Sequence, residues 1–328
     1  MLTGAGAVGA RVARQLQTLA GLDDLVVTDA NSGRADMLAA SLGRPARAVA
    51  WSDALLDGAV VLVIALPAGP HRELAERAIE RGVDVVSTTD DTDETGRLLE
   101  LHDEACERGR HIVVGAGFSP GLTCLLARHG ASDFSTVDEV HVAKTGTGGP
   151  ACARQHHAAL AGEAVDWRDG AWVRRRGGSG RELCWFPDPI GGLDCYRGAL
   201  PDALLLHAAF PGVSRITARV SGSRRDRVTA RLPMLRRPHV EGAIGAVRVE
   251  VRGRRGAVTD ARVLGAIDRP AVAAGAVAAV ATAWCVDGRL AGVGAGGLAE
   301  LVADVVPFLH DLADRGVRGA IFAGASGA

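Results

Sequence analysis

Apolar positions in the first 130 residues follow two rhythms that take turns. Val8, Val12, Leu16 and Leu19 recur at the spacing of an amphipathic helix, which Gly21 ends. Leu25 to Thr28 and Ala59 to Leu66 are short, uniformly apolar runs, the pattern of strands covered on both faces. Further strands are predicted near Arg47 to Trp51, at Val83 to Ser87 and at His111 to Val114, with a capped turn at Ser52 to Leu56. Helices are predicted over Ala35 to Leu42, Arg72 to Arg81 and Glu94 to Arg108. This alternation predicts an α/β fold: a Rossmann-type, doubly wound parallel sheet with right-handed crossovers. The first strand, Met1-Leu2-Thr3, covers only about 10 Å, so either it is clipped or the start lies upstream.

After about Arg128 the pattern changes. Val137 to Lys144 alternates like a half-exposed strand, and Ala171 to Val173, Glu182 to Phe186 and Arg215 to Val220 read as further strands. Val247 to Val251 is joined through Gly253-Arg254-Arg255-Gly256 to Ala257 to Leu264, a hairpin signature. A second, α+β domain built on a mostly antiparallel sheet is expected. Ala271 to Val286 and Leu298 to Leu312 are helical again and apolar enough to return to the first domain. The expected division is a dinucleotide-binding domain over 1–128, completed by helices in 271–328, and a substrate and dimerisation domain over 129–270.

Gly4, Gly6 and Gly9 stand at G-x-G-x-x-G spacing between the first strand and its helix. The first glycine permits the tight turn, the second lets a pyrophosphate approach the backbone, and the third lets helix and strand pack closely. The following helix offers free N–H groups to the phosphates. Asp29 closes the second strand twenty residues after Gly9, where a carboxylate can accept both ribose hydroxyls. The cofactor candidates are therefore Gly4, Ala5, Gly6, Ala7, Val8, Gly9 and Asp29, joined by Leu66, Pro67 and Thr88 at strand carboxyl ends. Asn31 is either a further ribose contact or a turn residue. Asp29 favours NAD over NADP, although Ser32 and Arg34 are close enough to cradle a 2′-phosphate.

Composition narrows the class. Of 328 residues 48% are hydrophobic and the formal net charge is -1, so no basic excess argues for nucleic acid. The longest uncharged run, Pro270 to Val286, is shorter than the roughly 20 residues that span a bilayer. No secretory leader precedes the glycine loop, and six cysteines lack paired spacing, so a reducing cytoplasm is expected. The sharpest fact is that Lys144 is the only lysine among 37 basic residues. Where arginine has taken every other cationic position, lysine is kept either by accident or because its amine can lose a proton.

Lys144 ends its strand at Thr145-Gly146-Thr147-Gly148-Gly149-Pro150, which would put the amine at the domain cleft as an acid or base. By alternation His141 faces the other way. His156, beyond Pro150 on a predicted helix, is the second acid–base candidate. Arg154 can clamp a carboxylate with two hydrogen bonds. Cys152 with His156 lacks the further ligands a metal needs, so no metal is expected. His71 and Asp90, at strand carboxyl ends, are substrate candidates, as are Phe118 and Ser119 in the Gly115 to Gly121 loop.

These residues resemble the saccharopine dehydrogenase-like family of NAD(P)-dependent oxidoreductases. The resemblance is carried by Gly4-Ala5-Gly6-Ala7-Val8-Gly9, Asp29, Leu66-Pro67 with His71, Val85-Val86-Ser87-Thr88 before Asp90, and Gly117-Phe118-Ser119-Pro120-Gly121-Leu122. Ser119 stands where the family carries an aspartate. The resemblance implies hydride exchange between a nicotinamide and a carbon bearing nitrogen, on a small amino or imino compound. A bound NAD with no net redox change, or a silent dinucleotide-binding regulator, are the rival readings. A homodimer through the second sheet is the default expectation.

Overall fold

The computed structural model describes residues 1–322 apart from 68, 235 and 236. Six parallel strands build the first sheet: β1 (Leu2–Thr3), β2 (Leu25–Thr28), β3 (Ala46–Ala48), β4 (Val61–Ile64), β5 (Asp84–Ser87) and β6 (His111–Val114). Their order is β6-β5-β4-β1-β2-β3, the doubly wound arrangement expected, with Leu2 of β1 between Val27 and Val63. All four residues of β4 are buried, as a strand covered by helices on both faces requires.

The second sheet holds β7 (Thr136–Thr145), β8 (Glu163–Arg168), β9 (Ala171–Arg176), β10 (Glu182–Trp185), β11 (Gly192–Arg197), β12 (Arg215–Ser221), β13 (Gly245–Arg255) and β14 (Val258–Asp268). The order is β10-β11-β12-β7-β13-β14, and β8 with β9 pairs onto β12. The sheet is mixed: β7 and β12 run parallel at its centre, and the other pairs are antiparallel. The hairpin at Gly253 to Gly256 is longer on both sides than its sequence pattern suggests.

The last segment contributes to both sheets. Helix Pro270–Val286 packs on helix Ala7–Leu16 so closely that a Cβ on Gly275 would strike the Arg11 backbone. Then β15 (Gly294–Gly297) adds a seventh parallel strand beside β6, while β16 (Gly319–Ile321) pairs with β14 of the second sheet. The predicted helix over Leu298 to Leu312 is accordingly broken into Leu298–Leu301 and Val305–Asp314. Residues 323–328 of the expected return, and Ala68 in the loop after β4, lie outside the described residues. Elsewhere the helix predicted from Ala35 begins at Ser32, and Glu94 to Arg108 is two helices, Thr92–Leu99 and His102–Glu107.

Candidate active site

Between the carboxyl ends of the parallel strands and the second sheet lies a cavity of about 510 Å³. Gly4 to Val8, Asp29, Leu66, Pro67 and Thr88 line it from the first domain, and Lys144 with Gly146 to Cys152 from the second. Asp90, Phe118, Ser119, Arg154 and His156 line it too. Fifteen of the sequence candidates for cofactor, substrate or chemistry thus share one volume with Arg34, Gln155 and Val240.

The glycines divide their work. Gly4 has φ +102°, and a Cβ there would run into the Ala65 carbonyl; a Cβ on Gly9 would meet the Gly4 carbonyl. Gly9 therefore fixes helix against strand and does not itself line the cavity. Gly6 differs: a Cβ there would have nothing within 4 Å, so its place is open at the head of helix Ala7–Leu16. That is the cradle a side chain would fill and a phosphate can enter. Asp29 is held ready, its Oδ2 accepting from the Ala5 N–H at 2.7 Å and its Oδ1 from the Asn31 N–H at 2.8 Å.

Besides Gly9, two candidates are not brought to the cavity. The Asn31 side chain accepts from the Arg34 N–H at 3.2 Å and caps helix Ser32–Leu42, so it acts as the turn residue and not as a cavity contact. His71 is wholly buried, with Nδ1 2.9 Å from Ser87 Oγ and Nε2 3.3 Å from the Leu66 carbonyl. Burial pushes its imidazole pKa down, so it is a neutral brace beneath the Leu66-Pro67 loop and does not line the cavity.

Lys144 sits near the end of β7, between β12 and β13, and is 7% exposed. Its Nζ is 3.5 Å from Asp90 Oδ2 and donates to the Ser119 carbonyl at 3.4 Å. Asp90 follows β5, so the pair joins the two sheets across the cavity. His141 on the opposite face of β7 bonds to Thr217 and Glu139, as the alternation predicts.

Helix Pro150–Ala159 brings in the remaining groups. His156 Nε2 lies 2.9 Å from the Ser221 carbonyl. A carbonyl only accepts, so Nε2 carries the proton and Nδ1 is a bare acceptor, buried without a partner among the described residues. Burial and then the Lys144 charge push this imidazole pKa down to about 4. Burial and Asp90 push the Cys152 thiol up to about 11, so it is no ready nucleophile. Arg154 is exposed on the cavity rim and, among the described residues, forms no ion pair. No group of three or more His, Cys, Asp or Glu among the described residues could hold a metal.

Asp202 is the site residue that sequence reasoning missed. It opens helix Asp202–Ala209 from the second domain and is fully buried behind Ser119, whose Oγ lies 3.0 Å from both its oxygens. The available signal was a lone carboxylate at the head of the apolar run Ala203-Leu204-Leu205-Leu206.

No protein-family model matches the sequence. Among solved structures, apo saccharopine dehydrogenase (L-Glu forming) from Saccharomyces cerevisiae is similar over 98% of this chain and 99% of that chain, with TM-score 0.72 and 16% identity. A probable dehydrogenase from Thermotoga maritima matches over 98% of this chain and 97% of that chain, with TM-score 0.51 and 9% identity. The likeness at these identities is one of fold. The chain has the two-sheet architecture of saccharopine dehydrogenase, in agreement with the resemblance carried by its glycine loop and its Gly117 to Leu122 segment.

Proposed function

We propose that the chain is an NAD(P)-dependent oxidoreductase acting at a carbon–nitrogen bond of a small amino or imino compound. The observation that carries this reading is the joint lining of one cavity by the glycine loop with Asp29 and by the Lys144–Asp90 pair. The residues fit a dinucleotide: the open position at Gly6 and the helix behind it suit a pyrophosphate, and Asp29 suits a ribose. When bound, the nicotinamide supplies or receives the hydride. The protein has the remaining tasks of orientation and proton handling.

For proton handling the geometry favours Lys144. Its Nζ is held between Asp90 and the Ser119 carbonyl, so a proton can pass between Nζ and a substrate nitrogen while Asp90 balances the ammonium. Neutral His156 presents Nδ1 as an acceptor for a substrate N–H. Arg154, free of a protein carboxylate, can take a substrate carboxylate in a two-bond clamp. Phe118 and Gly146 to Gly149 complete the lining. Asp29 favours NAD, and Arg34, which lines the cavity, leaves room for NADP.

The test is a screen of amino acids, imino acids and polyamines for absorbance change at the nicotinamide band, with NAD and NADP in parallel. Calorimetry of each nucleotide accompanies it. Turnover of a compound with nitrogen at the reacting carbon is expected. Binding of neither nucleotide would sink the reading, and turnover without net NADH change would move it to the transient-oxidation scheme.

A further inference from the structure

Asp202 is buried completely, yet no cation is paired with it among the described residues. Its hydrogen-bond partners are hydroxyls: Thr123 Oγ1 donates at 2.6 Å, and Ser119 Oγ lies 3.0 Å from Oδ1 and Oδ2. A carboxylate in such a place carries a desolvation cost that an apolar side chain would avoid, so packing alone does not account for it. Ser119 supplies an account. Its hydroxyl turns to Asp202 while its carbonyl accepts from Lys144 Nζ at 3.4 Å, so two charged groups hold opposite ends of one residue.

We infer that Asp202 is a positioning residue for Lys144: from behind the Gly117 to Gly121 loop it fixes the Ser119 carbonyl at the ammonium and adds its negative charge to that of Asp90. Burial pushes the Asp202 carboxyl up, while Thr123, the Lys144 charge and Ser119 oppose that and favour its ionised form. The interaction is mutual, since a carboxylate that gains from the ammonium also holds the ammonium charged.

The groups that face this pair come from three elements. Asp90 follows β5, and Cys152 and His156 lie on helix Pro150–Ala159. Cys124, on helix Leu122–Ala131, faces Asp202 and is pushed up to about 12 by burial and then by the Asp202 charge. Burial holds both thiols and the imidazole neutral near pH 7, so among these groups the carboxyls of Asp90 and Asp202 are the acidic ones that face the lysine.

The functional meaning of this assignment rests on the reading of Lys144 as the proton-handling group, but its test reads the amine and needs no substrate. Lys144 is the only lysine, so lysine labelled with ¹³C at Cε gives one side-chain signal in the full chain. In Asp202→Asn, which keeps size and hydrogen bonding, that signal should titrate at lower pH by about half a unit or more. In Ser119→Ala, where Asp202 keeps the Thr123 hydroxyl alone, a smaller shift in the same direction is expected. A folded Asp202→Asn chain whose Lys144 signal titrates as in the wild type overturns the inference, whatever its stability. Should that variant not fold, the Ser119→Ala titration decides alone, and an unmoved signal there overturns it. Failure of the proposed function would register separately, as absence of nucleotide binding alongside a shifted titration.

Discussion

Lys144 Nζ stands 3.5 Å from Asp90 Oδ2, a contact between β7 of the second sheet and the loop that follows β5 of the first. The pair lines the same cavity as the glycine loop. Replacing Lys144 by Met should lower turnover by roughly 100-fold or more while nucleotide affinity stays within about twofold. Steady-state rates with calorimetry check this. Loss of nucleotide affinity alongside turnover would instead make Lys144 a cofactor contact.

Gly6 gives a cleaner probe of the cradle than Gly4 or Gly9. Its φ of -77° suits any residue, and a Cβ there meets nothing within 4 Å. Gly6→Val should therefore keep stability within about 1 kcal/mol by thermal melting, yet weaken nucleotide binding by roughly 100-fold through occupation of the phosphate position. A variant that binds nucleotide like the wild type would place the cofactor elsewhere.

His156 is expected to stay neutral over the physiological range. A group whose pKa is pushed down to about 4 gains its proton only in acid, so between about pH 5.5 and 8 its state does not change. The ratio of wild-type to His156→Gln turnover should be constant across that window. A ratio that changes through a midpoint near 6.5 would contradict the buried, neutral imidazole.

Asp202 carries a stability cost with a defined sign. Its folded-state pKa lies above the unfolded one, so the folded chain takes up a proton more readily. The cost is present in full above the raised folded pKa and gone below the ordinary carboxylate range at about 4. Asp202→Asn should melt higher than the wild type at pH 7, by an equivalent of roughly 1 kcal/mol, with the gap narrowing as pH falls towards 4. A gap that widens in acid would mean that the carboxylate stabilises the fold.

Much of this was legible in the sequence because the signals were local. Uniform apolar runs marked β2, β4, β5 and β6, and the glycine spacing marked the loop that meets the cavity. Lys144 stood out by composition, and alternation along β7 correctly separated it from His141. What escaped depended on contacts between distant segments. Asp202 and Ser119 are 83 positions apart, and no pattern in either neighbourhood announces the other. Strand β15 is Gly-Ala-Gly-Gly, with no strand propensity of its own, and exists because β6 offers it an edge. His71 looked like a cavity residue by position at a strand end, but the Ser87 hydroxyl and the Leu66 carbonyl draw its ring inward.

β15 and β16 lie within 28 residues of each other and finish different sheets. During synthesis both sheets must wait with an edge unfilled until this stretch has left the ribosome. A chain halted before residue 294 would therefore expose β6 and β14 as templates for unwanted strand pairing.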